Sequence, residues 1–108
     1  MTEWVSGNIF IRKMFDHVAS GTVNPGHAHK FDHTSIVFTG AVHVKAETPD
    51  GRVIERDFYA PSHFLVKAEV LHEITAITDD TTVWCLYSHR TPQGDIHQEW
   101  TGWEQATW

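Results

Sequence analysis

An all-β domain of antiparallel strands, a sandwich or a small barrel, is what this sequence predicts, and three observations carry it. Its apolar runs are short and rich in Val, Ile, Thr and aromatic residues. Several of them alternate apolar with polar residues at period two, as half-buried strands do. Gly, Pro, Asn and Asp punctuate them at short intervals, and no stretch carries a convincing helical period.

Asn8–Phe15 reads as the first strand, and Gly21–Asn24 leads into a turn at Pro25-Gly26. That turn breaks any helix before His27, and the β-branched, aromatic run Ser35–Thr39 follows, so the intervening His27–His33 is expected to be extended. Thr34–Thr39 and Ala41–Glu47 are strands separated by Gly40, and in the second Val42, Val44 and Ala46 alternate with His43, Lys45 and Glu47. Thr48-Pro49-Asp50-Gly51 is a hairpin turn, with Pro preset at the second position and Gly at the fourth. Val53–Tyr59 returns as a strand and Ala60-Pro61 ends it. His63–Lys67, Glu73–Ile77 and Thr82–His89 complete the set, with Asp79-Asp80 turning between the last two. The chain is read as one domain over 1–108, with its barrel core at about 8–90 and a polar tail, 91–108, that carries Trp100, Trp103 and Trp108.

The composition, 41% hydrophobic and 20% charged, is that of an ordinary globular domain. A net charge of −6 offers no basic patch to displace counterions, which argues against a nucleic-acid partner. No signal peptide is visible at Met1-Thr2-Glu3-Trp4, and no apolar run approaches the ~18–20 residues that span a bilayer. No membrane role is therefore expected. Cys85 is the single cysteine, which excludes intrachain disulfides and makes a reducing cytoplasm the expected compartment. Within Val83–Tyr87 it reads as a small buried hydrophobe rather than a nucleophile.

The chemistry concentrates in His27-Ala28-His29-Lys30-Phe31-Asp32-His33. Neutral imidazole is the commonest protein ligand for first-row metals, and three within seven residues make a prospective ligand set. On an extended strand His27 and His29 leave from one face, roughly 6–7 Å apart at the backbone, close enough for one ion. On a helix only His29 and His33 would share a face. His17, His43, His63, His89 and His97 read chiefly as plain polar groups, with His43 exposed or at an interface. Arg90, at a strand end, reads as a solvated charge rather than a carboxylate clamp.

The run Gly26-His27-x-His29-x3-His33-x6-Gly40 resembles the first motif of the cupins, HxH-x3-4-E-x6-G, with His33 where that family usually has glutamate. Lys67–His72 stands in the place of the second motif, without its proline and glycine, so the resemblance makes His72 the last ligand. It covers roughly Asn8 to His89 and implies a single jelly-roll β-barrel domain with a metal held by His27, His29, His33 and His72. His-x-His-x-x-Asp-His is also one residue longer than a metallo-β-lactamase motif, a fold that needs about twice this length.

A histidine in place of glutamate makes such a site one unit more positive, which raises its Lewis acidity and its affinity for anionic oxygen ligands. The resemblance implies a divalent transition ion, with Fe, Ni, Zn, Mn and Cu all open. Small cupins imply a metal-dependent enzyme of dioxygenase, isomerase or lyase type, acting on a small oxygen-rich or carboxylate substrate. The other class is a metal-stabilised binding or sensor module without catalysis; the reading leans to the enzyme. Tyr87, Glu73 and His63 are the candidates for catalytic acid or base. Trp4, Phe10, Trp100 and Trp103 lie in terminal segments with little core left to fill, and this predicts a homodimer.

Overall fold

The alternation in the sequence becomes nine strands in the computed structural model, which describes residues 2–88. They are β1 (Glu3–Ser6), β2 (Ile9–Val18), β3 (Val23–His27), β4 (His33–Thr39), β5 (Ala41–Glu47), β6 (Val53–Tyr59), β7 (Ser62–Val66), β8 (Leu71–Ala76) and β9 (Thr81–Ser88). They form two antiparallel sheets, ordered β1-β2-β9-β4-β7 and β3-β8-β5-β6, and no helix occurs among the described residues. This is a jelly roll.

The inner faces explain where a site can form. Between the sheets Phe15, Val37, Val42, Val44, Phe64, Val66, Ile74, Ala76 and Val83 make one core. Followed along each strand at period two, that apolar set turns polar. On β4 the inward series is Val37, Ser35, His33; on β8 it is Ala76, Ile74, His72; on β9 it is Val83, Cys85, Tyr87. One end of the barrel is therefore a dry core, and the other end collects histidines, a thiol and a phenol.

The outer faces differ sharply. On the four-stranded sheet, His43 pairs with Asp57, and Lys45 pairs with Glu55 and Glu73, a charged and solvated surface. On the five-stranded sheet, Trp84 is flanked by Trp4 (ring centres 5.5 Å apart), Phe38 (5.1 Å) and the Lys13 ammonium. Phe38 and Leu65 are 47% and 57% exposed there.

Several elements depart from the sequence expectation. β1 was not expected; it pairs with β2 from Glu3↔Arg12 to Ser6↔Ile9. β2 runs three residues beyond Phe15, carried round by two register shifts. Pro25-Gly26 is not a turn but lies inside β3, an edge strand whose register shifts between Asn24 and His27. An edge position with a bulge is where a strand tolerates proline, because no ladder donor is needed. The extended run ends at His27, and residues 28–32 form a loop before β4. β8 and β9 each begin earlier than expected, at Leu71 and Thr81. His89, Arg90, His97, Trp100, Trp103 and Trp108 lie outside the described residues.

Candidate metal centre

His27 closes β3 and His72 stands directly opposite on β8, so the ladder itself sets their rings 4.3 Å apart. His29 comes from the loop, with its ring 4.6 Å from His27 and 5.5 Å from His72. That loop is tied to the segment before β8: the Glu69 amide donates to the His29 carbonyl at 2.7 Å, and the Ala68 amide to Asp32 Oδ1 at 2.7 Å. Asp32 is thus a brace for the loop. Glu69 adopts a left-handed φ of 67°, taking the tight turn in a segment that lacks glycine. The ligating nitrogens of His27, His29 and His72 all lie within 4.8 Å of one another. His33, at the start of β4 in the other sheet, has its ring 5.3 Å from His29 and 5.2 Å from His72 and stands outside that trio.

Two rings are aimed by the backbone. His27 Nδ1 lies 2.8 Å from the Pro25 carbonyl and His72 Nδ1 lies 2.9 Å from the Val70 carbonyl. A carbonyl only accepts, so each Nδ1 carries the hydrogen and each Nε2 keeps its lone pair. This arrangement fixes imidazole orientation in metal sites.

Electrostatics keep lone pairs available. Burial, followed by the neighbouring His72, His29, His27 and Arg12, pushes His33 down to about 4. Burial and then His27 and Arg12 lower His29. His72 is lowered chiefly by burial, against the opposing pull of the Val70 carbonyl. Buried His33 Nδ1 has no hydrogen-bond partner among the described residues. Three converging imidazoles beside a fourth with an unsatisfied buried nitrogen fit a divalent transition ion, and the donor set is all nitrogen.

The histidines open into a cavity of about 180 Å³, lined also by Glu3, Phe10, Arg12, Met14, Phe31, Cys85 and Tyr87. His29, Phe31, Tyr87 and Phe10 form a continuous stack with ring centres 4.8, 4.0 and 4.7 Å apart. A larger open groove of about 800 Å³ lies beyond Phe31 and Tyr87, but of the four histidines only His33 lines it. Cys85 Sγ is 3.2 Å from Ser35 Oγ, and burial pushes its thiol up, so it is no ready nucleophile.

Of the three acid–base candidates, the structure brings one to the site. Tyr87 lines the cavity, and burial followed by the Glu3 charge raises its phenol, which favours a hydrogen-bond donor over a base. Glu73 is exposed on the outer face of β8, because it alternates with buried His72 and Ile74. His63 is exposed on β7, alternating with buried Phe64. Neither lines the cavity. His43 sits on the outer face with Nδ1 2.6 Å from Asp57 and Nε2 3.1 Å from Glu55, and these carboxylates raise it. His17 pairs with Asp80 at the surface. Phe10, expected at a subunit contact, stacks on Tyr87 inside the cavity instead. Arg12 and Glu3 were missed, although Arg12 shares parity with Phe10 and Met14, a charge placed on the apolar phase of a strand.

No family model matches the sequence, nor does any curated protein. Solved structures do match in fold. Oxalate decarboxylase from Bacillus subtilis at pH 4.6 superposes with a TM-score of 0.69, 18% identity, over 94% of this chain and 26% of that one. The Lactobacillus farciminis oxalate decarboxylase formate complex gives 0.63 and 18%, over 81% and 30%. Oxalate oxidase gives 0.62 and 17%, over 73% and 40%. These neighbours are cupins. The chain has the cupin fold. It spans between about a quarter and two-fifths of the length of these cupins. One study of the Bacillus subtilis decarboxylase concerns its Mn(II) centres, and that protein gives 0.67 at 17% identity, over 86% of this chain and 24% of its own.

Proposed function

We propose that this cupin is a metal-dependent enzyme acting on a small oxygen-rich or carboxylate substrate. The observation that carries the reading is the pair of backbone-anchored rings, His27 and His72, which together with His29 each offer a nitrogen within 4.8 Å of the others. His27, His29 and His72 are the proposed ligands, with His33 the fourth and weaker one. A bound divalent ion, Mn, Fe, Ni, Zn or Cu, would supply Lewis acidity to a substrate oxygen. The chain supplies the rest. Phe10 and Phe31 give the cavity an apolar wall, and the Tyr87 phenol, which lines the same cavity, would donate a hydrogen bond to a bound oxygen. The oxalate-consuming neighbours make oxalate one substrate to test, and diketones and other small acids belong beside it.

The test is metal analysis of protein purified without an affinity tag, followed by oxygen-uptake and product screens on these compounds. Stoichiometric metal with turnover of one of them is expected. Metal without any turnover would favour the binding or sensor module, and a protein that takes up no metal would overturn the reading.

We further propose a cytoplasmic homodimer that meets through the outer face of the five-stranded sheet. Support comes from the Trp4–Trp84–Phe38 cluster there and from a single cysteine free of disulfide. Light scattering at tens of micromolar is expected to give twice 12.3 kDa, and a 12.3 kDa species would reject the dimer.

A further inference from the structure

The inner face of β2 reads Phe10, Arg12, Met14, and all three line the histidine cavity. The guanidinium on that face presents its charge to the cavity, and an anion is its complementary partner there. Glu3, opposite it on β1, is a poor partner: Nε to Oε1 is 3.5 Å, and the two side chains are 40% and 54% exposed. An exposed, loose pair of this kind is worth little. It leaves most of a planar donor fork that suits a carboxylate taken bidentately.

Arg12 lines the same cavity as His27, His29, His33 and His72. With neutral imidazoles, a divalent ion and the Arg12–Glu3 pair leave the cavity two positive charges in excess. The cavity, about 180 Å³, suits a short molecule.

We propose that Arg12 is the second anchor of the substrate, so that the molecule taken here is a short dianion. One oxygen group faces the histidine centre and a separate carboxylate displaces Glu3 on Arg12. The proposal rests on the metal-centre reading above and names its substrate class: a small dicarboxylate or a 2-oxo acid in its doubly charged form.

The experiment is calorimetric titration of the metal-loaded protein with acetate, malonate and succinate. At least one dicarboxylate is expected to bind about ten- to hundredfold more tightly than acetate, the value of a charge-assisted carboxylate contact. Arg12→Gln is expected to erase that advantage while acetate affinity stays within about twofold, because acetate needs only the histidine centre. Glu3→Gln removes the competing anion and is expected to tighten the dicarboxylate. Equal affinity for acetate and both dicarboxylates, an undiminished preference in Arg12→Gln, or weaker dicarboxylate binding in Glu3→Gln would each overturn the role of Arg12 and leave the metal centre standing. If none of the three acids binds the metal-loaded protein, the dianion proposal fails with the metal centre intact, whereas a protein that cannot be loaded with metal overturns the metal-centre reading itself.

Discussion

Replacing His72 with alanine is expected to strip the protein of most of its metal. His72 is the best-placed of the four histidines: 2% exposed, opposite His27 across the β3–β8 ladder, with its Nδ1 hydrogen held by the Val70 carbonyl. Losing a partner that merely orients a ligand costs about 10–100-fold in metal affinity, so losing the ligand itself should cost at least about 100-fold. His29→Ala should behave alike, because His29 belongs to the same converging trio. His33→Ala is expected to cost less, about tenfold, because His33 stands outside that trio. His43→Ala should leave metal content unchanged, its ring being committed to Asp57 and Glu55 on the outer face. Metal analysis after competition with a chelator reads all four variants. Full occupancy in His72→Ala would remove this histidine from the site and with it the assignment.

The strands that carry both core and site were legible because their alternation is strict. β4 and β5 appear in the sequence within one residue of their observed bounds, since Gly40 separates two runs whose apolar phase is unbroken. The histidine cluster was legible through its spacing, yet the geometric reason given for it was incomplete. His27 and His29 do not share a strand; a loop swings His29 back, and Asp32 and Glu69 hold that loop. Such long-range backbone contacts leave no local pattern. The same holds for the carbonyls of Pro25 and Val70, which orient two rings without any side-chain signature. β1 has no sequence signature of its own, because Trp4-Val5-Ser6 is short and gains its order by pairing with β2. Glu73 and His63 are candidates by residue type alone, whereas their alternation with His72 and Phe64 turns them outward.

Gly40→Ala is expected to destabilise the fold by roughly 2–4 kcal/mol, combining a left-handed backbone cost with overpacking. Gly40 joins β4 to β5, the corner where the chain leaves the five-stranded sheet for the four-stranded one. Its φ is 74°, and a Cβ there would sit 2.8 Å from Thr81 Cα and 2.7 Å from Thr78 Oγ1. A backbone atom cannot swing away as a flexible side chain can, so the corner itself would have to open. That corner is closely bonded. The Ala60 amide donates to the Gly40 carbonyl at 2.9 Å, the Ile77 amide to the Ala41 carbonyl at 3.0 Å, and the Thr39 hydroxyl to the Asp80 carbonyl at 2.6 Å. For a domain of this size the loss corresponds to a melting temperature lower by about 10 °C or more. Gly21→Ala separates the two causes: its φ is 91°, but nothing lies within 4 Å of the added carbon, so only the backbone cost of about 1 kcal/mol should appear. Because the corner lies at the dry end of the barrel, away from His27 and His72, the folded Gly40→Ala protein should still bind metal with wild-type affinity. Thermal unfolding of the two variants checks the ranking. A Gly40→Ala protein that melts with Gly21→Ala would show that the corner accommodates a side chain and that the close approach of β5 to Thr81 contributes no stability.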